Sequence, residues 1–266
     1  MKVGSIGCGN MGGALIRGML KTVPAWQVAI TDKDGEKALD FARNTGVIAS
    51  DLEEISSLCH YIFLAVKPQA LKSLSEELAP LLEKRGGGFV IVSMAAGITT
   101  DRIKELFGDH PVIRIMPNLA VSAGEGMILY TATPDVSEED VCGFTELMER
   151  SGKLLLLQEE LFDAGTSVSG CGPAFVRQFI DALTEGGVSC GLDRDDARLL
   201  AEQTLFGTAK LLLQTKGDPT ALRIAVCSPG GSTIEGVKSL ENDGIDRVIG
   251  DAVRASYKRN VELGKH

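Results

Sequence analysis

The sequence predicts a doubly wound α/β domain with a mostly parallel sheet, followed by an all-α domain. Three observations predict it. Short β-type runs alternate with helical stretches up to about residue 157. Several of these runs are apolar throughout, as suits strands covered on both faces of a parallel sheet. Beyond about residue 160 the strand signal stops and long helical periodicity takes over. The division is placed at 158, giving domains 1–158 and 159–266.

Residues 2–6 form the first strand pattern and run into Gly7-Cys8-Gly9-Asn10-Met11-Gly12, after which a helix is predicted over 11–20. Further strands are predicted at 28–31, 61–66, 89–94, 112–116, 127–130 and 153–157, with helices over 35–44, 71–82 and 137–150. In the second domain, Val176, Phe179, Ile180 and Leu183 share one face of a helix whose first turn accommodates Pro173. Helices over 194–214 and 245–263 repeat the pattern. Such wide apolar stripes in so short a domain leave hydrophobic surface uncovered, which predicts a homodimer through it.

A chain of 266 residues with 44% hydrophobic content supports one large core or two moderate ones. A formal charge of −9 argues against a nucleic-acid partner and for a small metabolite. Six scattered cysteines, with no CxxC, indicate neither a metal site nor a disulfide framework and fit a reducing, cytoplasmic setting. The longest apolar runs fall far short of the roughly 20 residues that span a bilayer, so no membrane partner is expected. The start of the chain, broken by glycine and Asn10, does not read as a signal peptide. His60, His110 and His266 stand isolated and read as surface or packing residues.

Strand, G-x-G-x-x-G, helix is the order that makes this glycine motif informative for a dinucleotide: Gly7 for the tight turn, Gly9 for approach of the pyrophosphate, Gly12 for helix packing. Asp32, at the end of the next strand, would accept hydrogen bonds from a ribose 2′-hydroxyl and repel a 2′-phosphate. Lys33 follows it and could turn to a phosphate, so NADH and NADPH both stay open. Ala65-Val66-Lys67-Pro68 and Met94-Ala95-Ala96-Gly97 end two other strands at the same crevice, where small residues admit a flat ring.

A second glycine turn, Ser228-Pro229-Gly230-Gly231-Ser232-Thr233, runs into another helical pattern. Backbone N–H groups at Gly230, Gly231, Ser232 and Thr233 are expected to be unpaired at this helix start, where the dipole also favours a small carboxylate.

In chain order, GCGNMG, AVKP, MAAG, RIMPN at 114–118, SGCGPAF at 169–175 and SPGGSTIEGVKSLE from Ser228 resemble the Δ1-pyrroline-5-carboxylate reductase family over nearly the whole chain. The resemblance implies a Rossmann domain and a helical dimerisation domain, often assembled further into rings. It implies reduction of 1-pyrroline-5-carboxylate to L-proline, the last step of proline biosynthesis, with NADPH or NADH. Thr233 matches the threonine that offers its hydroxyl to the imine nitrogen; Ser228, Gly230, Gly231 and Ser232 would hold the carboxylate. Asn118 falls at the floor of the family's site. One acid near Glu159 contacts ligand in relatives, although Glu159 and Glu160 read here as solvated linker charges. Cofactor contacts fall on Gly7, Cys8, Gly9, Asn10, Met11, Gly12, Asp32, Ala65, Val66, Lys67, Pro68, Ala95 and Ala96.

Four places depart from the family pattern. Asp32 and the segment 50–52 lack the groups NADPH users tend to show, Ala225 replaces a polar residue of some relatives, and Cys171 stands where serine is common. Cys171 reads as a small filler, since imine reduction needs no covalent intermediate. Two other readings stay open: a β-hydroxyacid dehydrogenase or deazaflavin-linked NADP reductase, and a non-catalytic dinucleotide-binding regulator. The first type of dehydrogenase depends on an interdomain-helix lysine that residues 172–189 do not contain.

Overall fold

A computed structural model describes residues 2–228 and 230–264; Pro229 of the late glycine turn and His266 lie outside the described residues. Strands and helices alternate from β1 (Val3–Ile6), α1 (Asn10–Met19), β2 (Val28–Thr31) and α2 (Gly35–Thr45) to β3 (Ile48–Ala49), α3 (Leu52–Leu58) and β4 (Tyr61–Leu64). The chain continues through α4 (Leu71–Arg85), β5 (Val90–Ser93), α5 (Thr100–Phe107), β6 (Val112–Pro117), β7 (Gly126–Ala132), α6 (Glu138–Met148) and β8 (Gly152–Leu156). Only helices follow: α7 (Phe162–Ser169), α8 (Gly172–Ser189), α9 (Arg194–Thr215), α10 (Pro219–Val226), α11 (Ser232–Asn242) and α12 (Ile245–Leu263).

The sheet order is β3-β2-β1-β4-β5-β6-β7-β8, parallel except where β6 meets β7. Strand residues alternate between two cores, as the two-residue side-chain period requires. Tyr61 and Phe63 join Leu15, Ile16, Phe41 and Phe144 beneath α1, α2 and α6. Ile62 and Leu64 face the other way and join Ile55, Leu78, Ile103 and Phe107 of α3, α4 and α5. Each of these fully buried side chains contributes about 1.5–3 kcal/mol relative to exposure. The doubly wound α/β architecture is therefore the one the apolar strand runs predicted.

Contacts divide the chain into two compact units. One comprises the chain up to Gly170 together with the stretch from Ser256 onward; the other is Cys171–Ala255. In the second unit α8 and α9 pack against each other, with Thr184, Ala197 and Ala201 buried and an Arg194–Glu185 ion pair at 2.5 Å. Arg223 of α10 pairs with Glu241 of α11 at 2.6 Å. No described helix is long and apolar enough to cross a membrane.

Candidate active site

Register places the first set of predicted residues at one edge of the sheet. Ile6 pairs with Thr31 and Leu64, and Leu64 with Ser93, so β1, β2, β4 and β5 end side by side. Gly7, Asp32, Ala65 and Met94 each follow one of these ends. The order of strands reverses between β1 and β4, the place where open α/β sheets bind ligands.

The glycine turn has physical reasons for its composition. Gly7 sits at φ +106°, in the region that favours glycine, and a Cβ there would run into the carbonyl oxygen of Ala65. At Gly12 a Cβ would lie 2.7 Å from the Gly7 oxygen and 2.9 Å from the Ala65 side chain. Gly9 is different, since its missing Cβ faces open space: among the described residues beyond its chain neighbours, the Lys37 Nζ alone lies within 4 Å. Two of the three glycines thus close the fold, while Gly9 leaves room for a ligand.

Helix capping sets two helices apart. The helices α2, α3, α5, α6, α9 and α10 carry side-chain caps from Asp34, Asp51, Thr99, Ser137, Asp193 and Asp218. The helices α4, α7 and α8 grow out of residues already in helical conformation. By contrast α1 and α11 start on an extended glycine, Gly9 and Gly231, and no described side chain caps either. An uncapped N-terminus presents N–H groups and the positive end of the helix dipole to an external anion. A pyrophosphate suits α1, so the residues at this edge fit a dinucleotide.

The remaining predicted cofactor positions are unequal. Asn10 and Lys67 are exposed; Met11, Ala65 and Val66 are half-buried. Pro68 opens a turn over Pro68–Ala70 that begins at Lys67. Ala96 is exposed, but Ala95 is 3% exposed and packed into the core under α4 and α5. Cys8 is buried and donates its N–H to Asp32 Oδ2 at 3.0 Å. Burial, with the Asp32 charge second, pushes its thiol up to about 11, so it stays protonated.

Asp32 is not the open acceptor that the sequence suggested. Its Oδ2 also takes the Lys37 ammonium at 3.0 Å, and its Oδ1 takes the Asp34 N–H at 3.2 Å. Sequence reading considered Lys33 and missed Lys37, which reaches back from the first turn of α2. A cleft of about 630 Å³ opens beside this pair, lined among others by Cys8, Gly9, Asn10, Arg17, Lys37 and Phe41.

Glu159 is not a solvated linker charge. Its Oε1 accepts from the Thr100 N–H and from Arg114 Nη1, both at 2.8 Å, and its Oε2 accepts from the Thr100 hydroxyl at 2.6 Å. The reason is Arg114, 6% exposed on β6 and stacked 4.5 Å over the Phe162 ring, which needs a counter-charge. Glu160 remains exposed. Asn118 is also engaged: its amide nitrogen donates to the Ser169 oxygen at 3.0 Å and its oxygen accepts from Met127 N–H at 3.1 Å. The isolated His60 is bonded too, with its Nε2 at 2.6 Å from Asp140 Oδ1.

In the helical unit the late turn has Gly230 at φ +72°, and Ser228, Ser232 and Thr233 are exposed. One expected donor is missing from the cradle. The Gly231 N–H bonds to the Ser228 oxygen at 3.0 Å, closing the turn, so it is not an unpaired group. A Cβ at Gly231 would displace the Ser228 hydroxyl from its present rotamer.

Fold and glycine edge define a nicotinamide-dinucleotide oxidoreductase with an appended helical domain. Residues 2–97 match the family model described as NADP oxidoreductase coenzyme F420-dependent, and residues 159–263 that of pyrroline-5-carboxylate reductase dimerisation. A pyrroline-5-carboxylate reductase of Synechocystis sp. is 36% identical over 271 residues, covering 100% of this chain and 99% of its own. Among solved structures, the pyrroline-5-carboxylate reductase of Coxiella burnetii has a TM-score of 0.92 at 28% identity, covering 98% of both chains. That of a Plasmodium falciparum pyrroline carboxylate reductase with NADP bound has a TM-score of 0.84 at 27% identity, covering 99% of this chain and 98% of its own. The chain belongs to the pyrroline-5-carboxylate reductase family.

Proposed function

We propose that this protein reduces 1-pyrroline-5-carboxylate to L-proline with NADPH or NADH, the last step of proline biosynthesis, in the cytoplasm and as a homodimer or a ring of dimers. The observation that carries the reading is the pair of glycine-started, uncapped helices: α1 for a pyrophosphate and α11 for a carboxylate. A deazaflavin-linked reductase or a β-hydroxyacid dehydrogenase gives no reason for the second one. The helical dimerisation and substrate domain is assigned to residues 159–266, following the match over 159–263.

The coenzyme, when bound, supplies a hydride. The imine carbon accepts it, the C=N π pair moves to nitrogen, and one proton is needed there to leave a secondary amine. The exposed Thr233 hydroxyl is assigned the hydrogen bond to that nitrogen, with proton delivery by it or by water. The N–H groups of Ser232 and Thr233, with the Ser228 and Ser232 hydroxyls, hold the carboxylate; Gly230 and Gly231 shape the turn. Gly7, Gly9 and Gly12 with Asn10 and Met11 seat the dinucleotide. The ends of β4 and β5, at Ala65–Pro68 and the exposed Ala96, would flank the nicotinamide, with Ala95 packed beneath them in the core. Glu159, which ties the start of α5 to β6, and Asn118, which ties β7 to the end of α7, are assigned a positioning role. Positioning supplies most of the acceleration, since hydride transfer to a protonated imine needs no strong acid.

The test is NADPH and NADH oxidation on addition of 1-pyrroline-5-carboxylate, with Thr233→Ala alongside. Expected are turnover with at least one coenzyme and a kcat reduced roughly 10- to 100-fold in the variant, with its coenzyme Kd unchanged. Turnover with neither coenzyme overturns the reaction; an unchanged kcat overturns the role of Thr233.

A further inference from the structure

We infer that Lys37 is the coenzyme-selecting residue of this chain and that it turns a site with an aspartate at the ribose into one that takes the 2′-phosphate of NADPH. The inference deepens the proposed reading, since it concerns the coenzyme of the same dinucleotide edge.

An acidic residue ending the second strand ordinarily accepts from the ribose 2′-hydroxyl and repels a 2′-phosphate. Asp32 occupies that place with its acceptor capacity largely spent. Oδ2 takes the Cys8 N–H and the Lys37 ammonium, with the Cys8 thiol at 3.5 Å, and Oδ1 takes the Asp34 N–H. The carboxylate side chain is 9% exposed, whereas the Lys37 side chain is 45% exposed. Charge and exposure are therefore inverted relative to the bare motif. The buried carboxylate is neutralised, and the group that meets solvent is a cation.

That cation also stands where a ligand approaches. Beyond its chain neighbours, a point one Cβ out from Gly9 has, among the described residues, the Lys37 Nζ alone within 4 Å, at 3.9 Å. Lys37 is held there at both ends: its own N–H bonds to the Asp34 cap at 3.2 Å and its ammonium to Asp32. The adjoining cleft brings Arg17 as a second cation, against one carboxylate, Asp40. Lys33, the residue next to Asp32, is exposed and has no ion-pair partner among the described residues. A lysine ammonium has three donors, so Lys37 can keep Asp32 while donating to a phosphate oxygen.

Calorimetric titration of the full chain with 2′,5′-ADP and with 5′-AMP tests this without nicotinamide or imine, so its outcome is independent of whether the proposed reaction is correct. Expected is at least tenfold tighter binding of 2′,5′-ADP. Lys37→Gln should bring the ratio of the two affinities down to about one and reduce the salt dependence of 2′,5′-ADP binding. Lys33→Gln should keep the preference. A far-UV circular dichroism spectrum and a melting temperature like those of the unsubstituted chain certify that Lys37→Gln is folded. Equal or tighter binding of 5′-AMP by the unsubstituted chain overturns the inference. So does a preference that survives Lys37→Gln or disappears in Lys33→Gln.

Discussion

At the scale of single residues, the glycines were the most legible part of the site because a backbone constraint leaves little choice. Gly7 needs a positive φ and contact with the Ala65 carbonyl, and both demands follow from a strand turning sharply into a helix. Gly7→Ala is expected to cost about 1–3 kcal/mol and to abolish coenzyme binding. Thermal melts and a titration with NADPH check both effects, and a variant that melts and binds like the unsubstituted chain contradicts the account. The Asp32–Lys37 pair was not legible, because a side chain five residues away reaches back only once a turn and a helix start have set its direction. Three aspartates carry a pH prediction. Burial opposes ionisation at Asp32, Asp135 and Asp140, but donors outweigh it: Cys8 N–H and Lys37, Lys104 and Thr133, and Ser137 and His60, respectively. All three are therefore held below the ordinary aspartate value of about 3.9 in the folded chain. Their stabilisation is complete above that value and is lost as pH falls through the lowered ones. Burial also holds the His110 imidazole below its ordinary value, so urea midpoints should fall a little between about pH 7 and 5, where the unfolded chain takes up that proton, and drop further below about pH 4, less steeply there in Asp140→Asn.

At the scale of elements, strands apolar on both faces were readable to within a residue or two, as at Tyr61–Leu64, since burial on both sides imposes apolar side chains throughout. What escaped was short or mixed: β3 has two residues, α3 seven and α5 eight. In such pieces tertiary packing of one or two side chains, Ile55 in α3 and Ile103 and Phe107 in α5, decides the conformation more than periodicity does. Glu159 belongs to this scale. It bonds the first residue of α5 and the buried Arg114 on β6, and Thr100 follows the loop that leaves β5. No local sequence feature joins residues 100, 114 and 159. Glu159→Ala leaves a buried guanidinium without its counter-charge and an α5 terminus without an acceptor. Because Glu159 is partly exposed, the expected loss is about 2 kcal/mol, short of the roughly 3–5 typical of a fully buried pair. Denaturant melts measure it. A double-mutant cycle with Arg114→Met should recover at least about 1 kcal/mol of coupling, and additive losses would show that the pair is not the cause.

At the scale of the whole molecule, the helical unit does not have a core of its own size. Its buried residues, Thr184, Ala197 and Ala201, are small, while Leu199, Phe206, Leu213 and Ile224 are 63%, 48%, 70% and 71% exposed. The apolar residues of α9 are not confined to one stripe: Leu199, Leu200, Leu205, Phe206, Leu211, Leu212 and Leu213 run around it. A helix apolar on several sides needs cover on several sides, and α8 provides it on the Ala197–Ala201 side. The match of residues 159–263 to a dimerisation domain names the kind of cover, a second copy. Burial of about 1.5–3 kcal/mol per large apolar side chain, over several from each copy, exceeds an association cost of about 4–15 kcal/mol by a modest margin. One charged substitution in the middle of α9 should therefore shift the balance. Size-exclusion chromatography with light scattering is expected to give at least twice the 28.2 kDa chain mass at micromolar concentration, with a melting temperature that rises with protein concentration. Phe206→Asp should bring the mass toward that of one chain and lower the melting temperature, while the glycine edge, in the other compact unit, keeps its affinity for 2′,5′-ADP. A single-chain mass for the unsubstituted protein, with a concentration-independent melt, would overturn a second copy as the cover of these side chains.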